Sequence, residues 1–172
     1  MNLSLKPNPI IALWVPGFLT LTVTLFVAYQ NGSLNILSLS TVIPLYIIGF
    51  MVIIAGFAVG EFLDTIRGLS ENIWDRICKH KYEINWKFFF DANEEHIRNL
   101  EEWYFTYYEL DFNLLSGTII IYILSWFSVI KINCTTQIIM IFPSITFLLS
   151  VLFIRKEIKE LIDDYYKKNT SG

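Results

Sequence analysis

Residues 45–76 read LYIIGFMVIIAGFAVGEFLDTIRGLSENIWDR, with no charged side chain before Glu61 and no proline. At about 1.5 Å per residue, a helix over roughly 40–61 crosses the ~30 Å hydrocarbon core of a bilayer. Past Gly60 the pattern becomes amphipathic without a breaker, so the same helix is expected to run on into water to about Arg76. Gly56 and Gly60 form a GxxxG pair, which lets two helix backbones approach closely in lipid. Gly49, Asp64 and Gly68 extend that stripe at helical spacing. Asp64 therefore belongs to a face that meets another helix, and Arg67 and Glu71 stand where they can join it in a ladder.

Three further apolar segments flank this one, at about 9–29, 110–130 and 137–154. The first contains Pro16, Thr20, Thr22 and Thr24 and ends in Tyr29-Gln30-Asn31 with no small-residue cleavage pattern, so it reads as a retained anchor. The third is the second half of a long helix that begins at a capping-box-like Asp91…Glu94 and runs some forty residues to Lys131. The fourth, kinked near Pro143, continues into a charged tail in which Ile154, Ile158, Leu161, Ile162 and Tyr165 share one face. The end of the tail, from Lys167, reads as frayed. The aromatic run Trp86 to Phe90 is expected to pack under a helical bundle. The fold class that follows is an all-α integral membrane protein with four transmembrane helices. Helices 2, 3 and 4 extend into a cytoplasmic bundle made of residues 62–109 and the tail 155–172.

Composition agrees with this reading. Of 172 residues, 54% are hydrophobic and only 17% charged, against roughly 25% charged in an ordinary soluble domain. Lysine and arginine concentrate in the central loop (Arg67, Arg76, Lys79, Lys81, Lys87, Arg98) and the tail (Arg155, Lys156, Lys159, Lys167, Lys168). By the positive-inside rule both regions, and the N-terminus, are cytoplasmic, with an inner (plasma) membrane as the expected location. A net charge of −3 gives no reason to expect nucleic acid as a partner. Cys78 and Cys134 fall in loops expected on opposite sides of the membrane, which excludes a disulfide-forming enzyme built on a cysteine pair.

The residues that invite chemistry are acidic. Glu95, Arg98, Glu102, Thr106, Glu109 and Asn113 recur at three- and four-residue intervals, making a polar stripe that enters the third span. Glu109 and Asn113 are expected near the depth of Glu61 and Asp64. Ionised side chains at that depth turn to a bundle interior, to water or to a partner charge. The sequence therefore predicts a mostly acidic vestibule walled by Glu61, Asp64, Arg67, Glu71, Glu102, Glu109 and Asn113. Interhelical ion pairing through Arg67 and Arg98 explains the same residues without any ligand. No metal-ligand spacing surrounds His80 or His96, and no nucleotide or nucleophile motif is present, so neither metal nor cofactor is expected. The expected function is an oligomeric membrane effector or channel-like protein that alters permeability through the vestibule. A non-catalytic anchor subunit docking a cytoplasmic protein is the alternative, and a metal-dependent lipid enzyme ranks below it. The expected partners are the bilayer and further copies of the chain.

Overall fold

A computed structural model describes residues 7–32, 41–77, 87–88, 92, 97–98, 100, 106–127 and 132–170. Four long helices account for most of them: α1 (Pro7–Gln30), α2 (Leu45–Ile77), α3 (Thr106–Trp126) and α4 (Cys134–Thr170). Among the described residues there is no β-strand. α2 is a single helix of 33 residues, as the unbroken pattern past Gly60 implies. It starts directly after Pro44, whose carbonyl accepts from Ile47 N–H at 2.9 Å, a position where a missing proline N–H costs nothing. α4 is likewise continuous through Pro143. The tail residues expected to fray are helical to Thr170, held by their continuity with a packed helix. The capping-box residues Asp91 and Glu94 and most of the expected first half of the long third helix lie outside the described residues.

Among the described residues two helices, Ile11–Gln30 and Leu45–Trp74, are long and apolar enough to cross a membrane. Only 11% of the most apolar window of the second is buried, whereas the core helix of a soluble protein is mostly covered. The chain is thus an all-helical protein with two membrane-crossing candidates, which suggests association with a membrane.

α1 packs against α2 and α3, and α4 packs on α3. The α1–α2 seam is where the GxxxG pair goes. A Cβ added to Gly17 of α1 would stand 2.5 Å from the Gly60 nitrogen, and one added to Gly60 would stand 2.5 Å from the Leu13 carbonyl oxygen. The backbones touch, and no side chain fits between them. Trp14 and Phe18 close the seam edge-on against Phe57, with ring centroids 4.5 and 5.3 Å apart. Gly49 and Gly68, expected on the same packing stripe, are not part of it: a Cβ at either meets nothing within 4 Å. Straight helices that cross at an angle touch over only a few turns, and these two glycines lie about two turns to either side of the crossing.

At the charged end a small core forms from Phe88, Leu100, Tyr108, Val151, Ile158 and Ile162. Phe88 is 1% exposed and meets the Tyr165 ring edge-on at 5.0 Å, so this residue of the aromatic run does pack under the bundle. Leu161, expected on the buried face of the tail, is instead 43% exposed. The buried stripe follows Val151, Ile158 and Ile162, and Leu161 falls about 100° to its side.

Candidate functional site

Where α2 leaves its apolar stretch, Arg67 gathers three carboxylates. Its Nε and Nη2 donate to Asp64 Oδ1 at 2.9 and 2.8 Å, one turn back on the same helix. Its Nη1 donates to Glu71 Oε1 at 3.1 Å, one turn on. Its Nη2 also lies 3.2 Å from Glu109 Oε1 on α3. The bonds to Asp64 and Glu71 are the ladder that the three- and four-residue spacing dictates, and the contact with Glu109 is added to it. The ladder holds the guanidinium in one orientation, and the Glu109 contact uses that orientation to tie α2 to α3. The fork geometry of arginine suits several carboxylates at once, which a lysine ammonium would not match. The side chains of Arg67 and Glu71 are 15% and 14% exposed, so the cluster is shielded but not sealed.

A second tie joins α3 to α4. Arg155, 3% exposed, donates from Nη1 to the Tyr108 hydroxyl at 2.7 Å. Ser150 Oγ donates to the Asp111 carboxylate on the same pair of helices. Burial pushes the Tyr108 phenol up, with Glu71 adding to the effect and Arg155 opposing it, so the ring stays neutral and bridges the two arginine systems. Glu109 stands just ahead of the apolar segment 110–130. Burial raises its carboxyl, Arg67 pulls it back, and the neighbouring Asp64 and Glu71 raise it further.

Asn113, expected in the vestibule, serves elsewhere. It is fully buried, and its Nδ2 donates at 3.0 Å to the backbone oxygen of Ala12 on α1. Ala12 is four residues before Pro16, so its carbonyl is the one that the proline's missing N–H leaves without a helical donor. A neighbouring helix thus supplies from a side chain what the proline removes, the condition under which proline is tolerated in an apolar environment. Asn113 Oδ1 has no partner of its own.

The structure therefore brings together Asp64, Arg67, Glu71 and Glu109. Glu61 is exposed on α2 and takes no part in the bonds of Arg67. Glu102, like Glu95, His80 and His96, lies outside the described residues. Among the described residues Asp64, Arg67, Glu71 and Glu109 form an ion-pair knot centred on a guanidinium. Among the described residues no group of three or more His, Cys, Asp or Glu side chains is placed to hold a metal ion. Sequence reasoning missed Gly17, Tyr108 and Arg155, and it missed the true partner of Asn113. The signal for Asn113 was present: a proline inside an apolar span implies an orphaned carbonyl one turn earlier, and Asn113 is the lone amide inside the third apolar segment. Comparison with known protein families, curated proteins and solved structures gives no match.

Proposed function

We propose that the chain is a four-span integral membrane protein that works as a homo-oligomeric, non-enzymatic effector of membrane permeability, assembled through the outward face of α2. In this reading α3 and α4 cross the bilayer beside α1 and α2, and the knot around Arg67 lies at the cytoplasmic surface.

The observation that carries the proposal is the uncovered side of α2. Met51, Ala55, Ala58, Phe62, Leu69 and Ile73 follow one another at steps of four, three, four, seven and four residues, the spacing of a helix-pairing seam. This row lies opposite the Gly56, Gly60 and Asp64 face that packs within the chain. Met51, Phe62, Leu69 and Ile73 are 57 to 61% exposed. Lipid covers such residues inside the bilayer. Yet α2 has 33 residues and so spans about 50 Å, some 20 Å more than the hydrocarbon core. Leu69 and Ile73 lie beyond the charges of Glu61, Asp64 and Arg67, where an exposed apolar row needs a protein partner. The small Ala55 and Ala58 in the bilayer half suit close helix contact in lipid. Because Asp64 is held by Arg67 on the opposite face, the ion-pair cluster is not part of this seam.

The test is reconstitution in liposomes with a read-out of ion flux and of assembly size. The expected result is flux from an oligomer, lost together with the oligomer in the Leu69→Glu, Ile73→Glu double variant. An oligomer that conducts nothing would turn the reading toward an assembling anchor subunit. A monomer that conducts would reject the seam.

A further inference from the structure

α1 and α4 both pack on α3 but make no substantial contact with each other. Between them lies a partly open cleft of about 320 Å³, bordered by Leu19 and Val23 of α1, Leu114 and Thr118 of α3, and Met140 and Pro143 of α4. Its walls are almost wholly apolar. Thr118 donates its hydroxyl to the Leu114 carbonyl of its own helix at 2.8 Å, so that donor is satisfied within α3. Pro143 sets the far wall. Thr20, also in the lining, presses its side chain on Gly117 and fixes the spacing of α1 and α3.

We propose that this cleft is a binding site for one acyl chain of a bilayer phospholipid. The volume is about twice that of the ~150 Å³ apolar cavity that stays dry and takes up benzene. Water gains too few hydrogen bonds from such walls to occupy them. The bordering residues all fall inside the apolar segments 9–29, 110–130 and 137–154, where acyl chains are the abundant apolar molecules. The half-exposed Leu19 stands at the rim and leaves the cleft open sideways, the direction from which a chain enters. The inference rests on membrane placement and not on oligomer formation.

The full chain is reconstituted in phosphatidylcholine vesicles that carry a photoactivatable group midway along one acyl chain, and the labelled residues are mapped by mass spectrometry. The expected pattern is heavier label on Val23 and Met140 than on Phe142, which is 80% exposed on the outer side of α4. That excess is expected to disappear in Thr118→Phe, which fills the cleft, with Thr118→Leu as the milder filling should the larger ring disturb folding. Label on Val23 and Met140 no heavier than on Phe142 overturns the site while leaving the membrane reading intact. Absence of label from Phe26 and Phe142 alike overturns the membrane placement and the site with it.

Discussion

Asn113 and Arg67 carry most of what single residues contribute, and they do so differently. Asn113 answers a local defect. Asn113→Leu keeps the size of the side chain and leaves the Ala12 carbonyl orphaned, so a loss of about 1–2 kcal/mol is expected in reversible unfolding. Pro16→Ala in the same background restores the helical donor and should recover most of that loss. Additive losses in the double variant would reject the pairing of Asn113 with the proline defect. Arg67 answers a charge problem. Removing it as Arg67→Gln leaves Asp64, Glu71 and Glu109 crowded together, at a cost of roughly 2 kcal/mol, below the 3–5 of a fully buried pair because water reaches the cluster. Glu109→Gln should cost less, since burial and the two neighbouring carboxylates already favour the neutral form of that acid. The sign follows from the raised carboxyl. Its contribution to stability is present below the ordinary glutamate range and is lost as pH rises through the raised folded value. Glu109→Gln should therefore flatten the fall in stability between acid and neutral pH, measured by unfolding across that range. The three- and four-residue spacing made the Asp64–Arg67–Glu71 ladder legible, because one helix sets those distances. The orphaned Ala12 carbonyl was legible from Pro16, but that α3 is the helix that brings Asn113 to it was not, because which helices meet is a tertiary fact.

At the scale of elements, α2 is the part whose sequence says most. Its length, its unbroken course past Gly60 and its close-packing glycines all follow from the residues, and Gly56 and Gly60 do meet another backbone. What periodicity could not give is where along the helix the contact stops. The stripe from Gly49 to Gly68 is continuous in sequence, but two crossing helices share only its middle. Substitutions should divide accordingly. Gly60→Val forces α1 and α2 apart and is expected to cost at least ~2 kcal/mol, in the range of overpacked cores. Gly68→Ala meets open space and should be neutral or stabilising by up to about 1 kcal/mol through helix propensity. Equal effects at the two glycines would remove the α1–α2 seam from this position. The seam residue Gly17 went unread because a lone glycine in an apolar segment carries no periodic signal.

For the whole molecule, the all-helical class was legible because hydropathy and helix length are properties of segments. The all-helical architecture and the apolar helices at Ile11–Gln30 and Leu45–Trp74 follow from them. The acidic cluster was legible only as two readings, a vestibule or interhelical ion pairs through Arg67 and Arg98, because sequence places charges at a depth but does not say which cation neutralises them. The proposed function rests on the side of α2 that no described residue covers. Its most direct test is a cysteine scan of α2 from Met51 to Ile77, in native membranes, in a background where Cys78 and Cys134 are replaced by serine. The expected result is disulfide-linked dimers that recur at steps of three and four residues, strongest at Phe62, Leu69 and Ile73 and absent at Gly56, Gly60 and Arg67. Cross-linking without that period, or centred on the Gly56 and Gly60 face, would contradict assembly through the outward face of α2.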